Sequence, residues 1–482
     1  MFLQTVCLDL QPGQPLVWTQ KEQTIGHVRY LDHFIDSNMS NQKKSLFRDD
    51  EGNYLLVPFL FICSLFLLWG FAHGFLDVLD KHFQDLLHVS KAQSGFVQFS
   101  LYIGYLAMAI PAGLFIKKFG YQKGIIFGLA LFAIGAFMFY PAAKLAAFIP
   151  FLAALFVIAC GLAFLETAAN PYSIVLGSKD GAARRINISQ SFNGLGWILG
   201  PLIGGLMIFG TEAEGEHDKF DSLVQPYIGI GCVVVLVAIV FLIIKLPEIK
   251  EKKEAGEYEE NPPMRNLLKH PVFIFAVIAQ FLYVAAQTGT NSFFINYVID
   301  AIHDLKTPIS NIMGNLGSFG EFFMPKNDEQ AASLILAFGG MGAFWIGRLT
   351  GSYLMKFIAP HRLLGFYAIM NVILNILVFM NLGWVSVFAL FLTYFFMSIM
   401  FPTIFALGIN NLGTLTKKGS SFLVMAVAGG AFCPPLMGLI ADHSSMATGF
   451  IIPVLCYIVI AVFAIWGVGK VEGKLDMSNP VH

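Results

Sequence analysis

Charged residues are scarce in this sequence. Asp, Glu, Lys and Arg make up 13% of its 482 residues, whereas soluble globular domains carry about 25%. With 30 Lys and Arg against 31 Asp and Glu, the chain also lacks the basic excess of a nucleic-acid-binding protein. The shortage of charge excludes a soluble surface, and the composition excludes a disordered or fibrous chain. An integral membrane protein that contacts the lipid bilayer and binds no nucleic acid is left.

Cysteine pairs and clusters are also absent. The six cysteines form no CxxC pair and no Cys/His cluster, and all but Cys7 lie in apolar runs. Neither a disulfide framework nor a zinc site is therefore predicted. Because no nucleophile, metal or nucleotide motif stands outside the apolar runs, we expect no enzymatic activity, no catalytic residue, no metal and no cofactor.

Apolar residues are abundant. They make up 56% of the chain, with 48 Phe and a mean hydropathy of +0.68. A helix needs about 20 mainly apolar residues to cross a bilayer. A window of that length predicts an all-α integral membrane protein with twelve transmembrane helices, near residues 55–79, 92–116, 121–140, 147–172, 186–210, 225–246, 271–298, 331–357, 361–380, 383–408, 415–441 and 447–469.

The distribution of Lys and Arg predicts the orientation of these spans, because positively charged loops stay in the cytoplasm. With the N-terminus inside, the inner segments carry 21 Lys and Arg, whereas the outer loops carry six, all of them Lys. Both termini are therefore predicted to be cytoplasmic, in a multi-pass protein of a bacterial-type inner membrane.

Polar segments divide the chain into five parts. Residues 1–50 are a polar tail without signal-peptide features; we expect it to be disordered, or absent from a chain that starts at Met39. The remaining parts are a first six-helix half, a charged cytoplasmic loop, a second six-helix half and a cytoplasmic tail, at residues 51–246, 247–270, 271–470 and 471–482.

An internal repeat relates the two halves. The segment GLFIKKFGYQK after the second span is similar to GSYLMKFIAPHR after the eighth. Ser191-Phe192 with Gly200 recurs as Ser421-Phe422 with Gly430 at the same spacing. The two halves are therefore predicted to share one pseudo-symmetric fold.

Three ionisable residues stand well inside the spans or near their inner margins: Asp77, Glu166 and Arg348. A charged group inside the bilayer costs about 2.5 to 3.5 kcal/mol or more, so such residues usually face a cavity and carry function. Asp77 is predicted in the outer half of the membrane and Glu166 in the inner half. Two carboxyl groups at different depths suit a proton that is taken up from one side and released to the other.

Each of these residues has a structural alternative. A first span that ends early leaves Asp77 wet beside Asp80 and Lys81. The structural alternative for Glu166, which the sequence favours less than a functional role, is a protonated contact between helices. Arg348 is either a charge partner for a carboxylate or a side chain that reaches the lipid headgroups. His73, one helical turn before Asp77, is a weaker candidate partner and fits a packing role.

Neutral polar residues in the spans are candidates for binding a neutral polar solute. A stripe at helical spacing in the seventh span should line a cavity, because a lipid-facing helix would not tolerate it. Span five adds a pair of amides on one face, span four adds Asn170 one turn after Glu166, and span two adds an isolated amide. Any single one of them fits interhelical packing as well. The set is Gln280, Tyr283, Gln287 and Asn291, then Gln190 and Asn193, then Asn170 and Gln98.

Span five also carries a glycine stripe. Gly196, Gly200 and Gly204 recur every four residues and predict a close approach of a neighbouring helix. The same segment, GWILGPLIGG, is similar to the span-five motif of drug/proton antiporters. Export of amphipathic compounds is therefore an alternative function.

Several motifs together resemble the fucose/galactose/glucose proton symporter family of the major facilitator superfamily. That superfamily has twelve spans in two related halves. The matching segments run through both halves and are WGFAHGFLDVLDKHFQ from Trp69, IPAGLFIKKFGYQKG from Ile110, LETAANPY from Leu165, NISQSFNGLG from Asn187, AQFLYVAAQT from Ala279 and GRLTG from Gly347.

The resemblance implies a proton-coupled importer of a monosaccharide that works by alternating access as a monomer. It places the proton and substrate carboxyl roles on Asp77 and Glu166, and cavity amides on Gln190 and Asn193. Glu166 is typical of the fucose type, whereas His73-Gly74 departs from the Asn pair of fucose symporters. Glucose, galactose, mannose and N-acetylated sugars therefore stay open as substrates, and a sugar sensor that does not transport stays open as a function.

Overall fold

The computed structural model describes residues 47, 54–177, 182–209, 216–244, 263–410, 412 and 415–468, and every regular element in this part of the chain is helical. Twelve of its helices are long and apolar enough to cross a membrane, which confirms the predicted fold class. The predicted tails lie outside the described residues, except Phe47. Most of the central loop also lies outside them, up to a short 3-10 helix at Met264–Lys269.

The first six spanning helices are close to the predicted spans. They are α1 Leu56–Leu87, α2 Lys91–Phe119, α3 Tyr121–Leu145, α4 Phe148–Val175, α5 Ala182–Ile208 and α6 Glu216–Ile243. The helical hydrogen bonds of these segments satisfy the backbone groups that a bilayer cannot.

The second six helices follow the same order. They are α7 Pro271–Ser292, α8 Asp328–Leu354, α9 Pro360–Phe379, α10 Trp384–Ile409, α11 Gly419–His443 and α12 Met446–Gly467. After Phe293 the chain of α7 continues as a further helix, Phe294–Ala301, and two short helices cross the loop before α8, at Lys306–Gly314 and Ser318–Phe322.

The largest departure from prediction is the C-terminal end of α1. The apolar run stops near residue 79, but the helix continues to Leu87. Asp80 and His82 in the added turns are buried, at 0% and 7% exposure, because protein rather than lipid surrounds them. A hydropathy window cannot distinguish these two surroundings. The alternative in which Asp77 lies at the wet end of a short span is therefore wrong.

Glycines bring α1 and α5 into backbone contact, as the glycine stripe predicted. A Cβ on Gly196 would lie 2.3 Å from the Leu67 carbonyl oxygen, and one on Gly200 would lie 2.5 Å from the Phe75 nitrogen. From the other side, a Cβ on Gly74 would lie 2.8 Å from the Trp197 carbonyl oxygen. No side chain larger than hydrogen fits in this interface, so it is held by close van der Waals packing.

The second half repeats this arrangement between α7 and α11. A Cβ on Gly429 would lie 2.0 Å from the carbonyl oxygen of Phe281. Gly429 precedes the glycine that the internal repeat pairs with Gly200. The repeat in the sequence therefore corresponds to two equivalent helix contacts, α1 with α5 and α7 with α11.

Candidate functional site

An aromatic cluster lies at the centre of the first half, where α1, α2 and α5 meet. His73 of α1 stacks on Trp197 of α5 with ring centroids 5.3 Å apart, and its Nε2 lies 3.1 Å from the Tyr105 hydroxyl. Trp69 and Tyr102 contact the same imidazole ring edge-on or tilted. His73 is therefore packed in a cluster of rings, the setting that the sequence offered as the alternative to a charge partner.

Asp77 is sealed inside the protein on the next turn of α1. It is 2% exposed, and the Gln98 amide nitrogen of α2 donates to its Oδ1 at 3.4 Å. Its other oxygen has no hydrogen-bond partner among the described residues. Tyr394 of α10, in the second half, is close enough to interact electrostatically with Asp77. The acid is thus enclosed between the two halves in this conformation.

Glu166 has the opposite surroundings. It is half-buried, although Leu165, Ala168 and Ala169 beside it on α4 are buried. It interacts electrostatically with Tyr102 and Tyr105 of α2, which places it beside the aromatic cluster. Glu166 is therefore less enclosed than Asp77.

The amides predicted in α4 and α5 lie together near Glu166. The Gln190 amide nitrogen is 3.5 Å from the Asn170 side-chain oxygen, and both residues are half-buried. Asn193 is buried, and its amide donates to the Phe66 carbonyl of α1 at 3.3 Å. Gln190 and Asn170 are therefore less enclosed than Asn193, which joins α1 to α5.

The predicted stripe of α7 is divided between packing and open positions. Gln280 is buried and finds no hydrogen-bond partner among the described residues. The Tyr283 hydroxyl donates to the Met397 carbonyl of α10 at 3.0 Å, so this side chain joins two helices. Gln287 is half-buried, and Asn291 is buried with an unpartnered side-chain oxygen.

Arg348 is half-buried on α8. Its Nε donates to the Ser398 carbonyl of α10 at 3.3 Å, and its guanidinium lies 4.7 Å from the centroid of the Phe344 ring. It also interacts electrostatically with Tyr283. These contacts tie α8 to α10 and place positive charge near the α7 stripe.

Contacts between the halves close the end of the molecule that the charge distribution predicts to be outside. We call them the outer seal. Asn296 donates to the Gln84 side chain at 2.6 Å, and Lys91 forms an ion pair with Asp300 at 3.0 Å. Deeper in, the Tyr102 and Thr288 hydroxyls are 2.9 Å apart.

The outer seal also includes the capped start of α2. The first N–H groups of a helix have no partner within the helix. Here Ser90 accepts from the Gln93 nitrogen, while the Asp442 carboxylate of α11 accepts from the backbone nitrogens of Lys91 and Ala92, each at 2.9 Å. One half thus caps a helix of the other, with negative charge at the positive end of the helix dipole.

The sequence missed two parts of this site. The sequence indicates Asp80 only as a hydrated neighbour of Asp77, although the structure shows that it is fully buried. The rings of Trp69, Tyr102, Tyr105 and Trp197 were not singled out either, because aromatic residues are common throughout the chain. Only contact distances distinguish this cluster. Within the described residues, no group of three or more His, Cys, Asp or Glu side chains is placed to hold a metal ion.

Comparison with known proteins adds independent evidence. Residues 54–414 match the Major Facilitator Superfamily. The L-fucose-proton symporter of Escherichia coli (strain K12) is 36% identical over 428 residues, which cover 85% of this chain and 92% of that protein. The glucose/galactose transporter of Brucella abortus is 32% identical over 84% of this chain and 92% of its own length.

Solved structures agree with these relatives. The fucose symporter in its outward conformation superimposes with a TM-score of 0.60 at 35% identity, over 85% of this chain and 98% of that chain. A bacterial homologue of the human lysosomal transporter Spinster gives a TM-score of 0.65 at 16% identity, over 87% and 97%, which shows a shared fold.

Proposed function

Because the chain belongs to the major facilitator superfamily, we propose that it is a proton-coupled symporter that imports a monosaccharide, L-fucose or a related hexose, by alternating access. The relatives reported above are transporters. One is an L-fucose-proton symporter, and another is a glucose/galactose transporter. The proposal requires no cofactor, since the proton gradient supplies the driving force.

The observation that carries this proposal is the contrast between the two membrane-embedded acids. Asp77 is enclosed beneath the outer seal, whereas Glu166, on a helix of opposite direction, is half-buried. A proton carrier that works by alternating access needs acid groups whose exposure changes with the conformation. The sealed outer side and the accessible inner acid fit a state that opens to the cytoplasm.

The cycle follows from the cost of burying charge. When the outer side is open, Asp77 is hydrated and binds an external proton together with the sugar. Neutralisation lowers the cost of closing protein over the carboxyl group. The halves then rock, the outer seal forms, and sugar and proton leave on the inner side past Glu166. Coupling requires that the carrier with only one ligand crosses poorly.

Sugar recognition in this proposal combines amides with rings. Gln190 and Asn170 are half-buried, with hydrogen-bonding groups for sugar hydroxyls, and the rings around His73 lie on the adjacent helices. A neutral sugar is well matched by such groups, because amides pair with hydroxyls and ring faces cover its C–H surfaces. The pair His73-Gly74 on α1 stands where fucose symporters have an Asn pair. We expect the sugar selectivity of this chain to differ from theirs at this pair.

We further propose that the protein is a monomer of the bacterial inner membrane with both termini in the cytoplasm. The excess of Lys and Arg on the inner segments supports this orientation. The charged segment between the halves then lies in the cytoplasm.

The decisive experiment measures proton movement driven by sugars. Purified protein in vesicles is given L-fucose, D-glucose, D-galactose, D-mannose and N-acetylglucosamine in turn, and external alkalinisation is recorded. We expect one hexose-type sugar to alkalinise the medium and to accumulate against its gradient. A protonophore should abolish the accumulation, and empty vesicles are the control. Absence of a response to every sugar, with resistance to amphipathic drugs in cells, would identify the antiporter alternative.

A further inference from the structure

One buried acid has no role in the cycle described above. Asp80 of α1 is 0% exposed, and neither of its carboxyl oxygens makes a hydrogen bond within the described part of the chain. It lies three residues after Asp77 on the same helix face, toward the predicted outer end. The side chain is therefore buried as deeply as that of Asp77.

The surroundings of Asp80 come from both halves of the molecule. The amide of Gln98 on α2 and the hydroxyl of Ser292 at the end of α7 are its polar neighbours. One helical turn further out, Gln84 of α1 accepts the bond from Asn296 that forms part of the outer seal. Asp80 is thus covered by the contact between α1 and α7, which belongs to the outer seal.

Among the residues that the structure describes, no positive charge compensates an ionised Asp80. On its own helix face the titratable neighbour is Asp77, which would repel it, and Tyr394 of α10 faces Asp77 from the other half. The groups that α2 and α7 turn toward Asp80, Gln98 and Ser292, are neutral.

The two residues after Asp80 in sequence interact elsewhere. Lys81 forms its ion pair with Asp85, whose side chain is exposed. The centroid of the His82 ring lies 6.1 Å from that of Phe209, the residue that follows the end of α5. Neither one supplies a positive charge to the buried carboxyl group.

The physical consequence is a link between closure and protonation. An ionised carboxylate buried without a partner costs several kcal/mol, so the carboxyl group is neutral when the outer side is closed. When the halves part, water reaches it, and a hydrated Asp side chain loses its proton above about pH 5. Closing the outer side therefore takes up a proton, and closure is favoured as the pH falls.

We propose that Asp80 is a proton-binding residue of the outer gate, distinct from Asp77 and Glu166, and that the outer side closes only over its protonated form. The proposal rests on the proposed function, since it assumes that the outer side opens during transport. Its readout is the conformation itself, which requires no sugar.

The test measures outer closure against pH. Spin labels at Ala147→Cys and Leu382→Cys, in a variant without the native cysteines, report the distance between outer loops of the two halves by double electron–electron resonance. The logarithm of the closed-to-open ratio is plotted against pH above about pH 5. We expect Asp80→Asn to reduce the steepness of this plot by about one proton, which removes a tenfold change of the ratio per pH unit.

A matched control separates the buried acid from a general loss of charge. Asp85→Asn removes an acid from the same helix at an exposed position, and its plot should keep the steepness of the parent protein. If Asp80→Asn does not accumulate in the membrane, Asp80→Ser is used in the same way.

An unchanged steepness in the Asp80 variants overturns the proposal, even if sugar and protons are transported together. If instead no sugar moves protons but the steepness changes as expected, the proposed function fails and the role of Asp80 in the gate stands.

Discussion

At the scale of single residues, the site is a set of polar side chains whose exposure differs sharply over short distances. Asp77 and Asp80 are enclosed, Glu166 and Gln190 are half-buried, and Asn193 is buried in the contact of α5 with α1. Because burying an ionised group is costly, these differences decide which acid exchanges protons in the conformation described.

Neutral isosteres of the two acids should uncouple transport. Asp77→Asn and Glu166→Gln each retain hydrogen bonding but bind no proton, so we expect accumulation against a gradient to be lost while sugar exchange or binding persists. Uptake of labelled sugar in vesicles with an imposed pH gradient measures accumulation, and counterflow measures sugar exchange. Glu321→Gln, at an exposed position outside the spans, should retain concentrative uptake. Normal accumulation by both acid variants would refute the proton role.

The cavity amides should control affinity. Gln190→Ala removes a group placed to bond a sugar hydroxyl, and loss of one such bond costs about 1 kcal/mol, so KM should rise several-fold with the maximal rate nearly unchanged. Asn193→Ala should weaken binding and also lower the amount of folded protein, because it loses the bond to Phe66. Gln122→Ala, which removes bonds to the Phe241 and Ile244 carbonyls outside the site, should leave KM unchanged.

At the scale of elements, the helix contacts fall into two kinds. The glycine-lined contacts of α1 with α5 and α7 with α11 leave no room for side chains and fix each pair as a rigid unit. The contact of α2 with α11 is also close, since a Cβ on Gly438 would lie 2.4 Å from the Lys91 carbonyl oxygen. It joins different halves, however, and its polar bonds can be replaced by water when the outer side opens.

The cap on α2 should make a measurable contribution to the equilibrium between the closed and open outer side. Asp442→Ala leaves the Lys91 and Ala92 N–H groups to water, and an Ala at a capping position costs about 1 kcal/mol. The open-to-closed ratio of the outer side should therefore rise roughly fivefold in the spin-label distances. Asp300→Ala breaks only an exposed ion pair and should shift this equilibrium by less than Asp442→Ala. Equal effects of the two variants would contradict the assigned hierarchy.

At the scale of the whole molecule, the structure represents one of the two conformations that the proposed transport cycle requires. The outer seal closes one end, and Glu166, the acid predicted toward the other end, is half-buried. The matched fucose symporter was solved in the outward conformation, so the two structures represent different stages if the orientation proposed here holds. A proton or sugar gradient drives transport only by favouring one state over the other.

The orientation can be tested at the two ends of α9. Leu382→Cys lies in the predicted outer loop after this helix, and Ala359→Cys lies in the predicted inner loop before it; both positions are exposed. A membrane-impermeant maleimide should label the first in intact cells and the second only after the membrane is opened. The reverse pattern would contradict the positive-inside assignment.

Most of the fold could be predicted from the sequence. The twelve spans, the repeat and the glycine contact follow from composition and spacing, because a bilayer imposes helix length and apolarity on every segment that crosses it. The candidate acids Asp77 and Glu166 followed from the cost of charge in lipid, which makes an ionisable residue in a span conspicuous.

Only the tertiary structure decided what surrounds these residues. Hydropathy ends α1 near residue 79, because a linear window cannot distinguish a polar residue in water from one buried between helices, so Asp80 and the last turns were missed. The aromatic cluster, the cap of Asp442 on α2 and the enclosure of Asp77 join residues that are far apart in sequence. Their chemistry depends on distances and burial, and these exist only once the two halves have packed together.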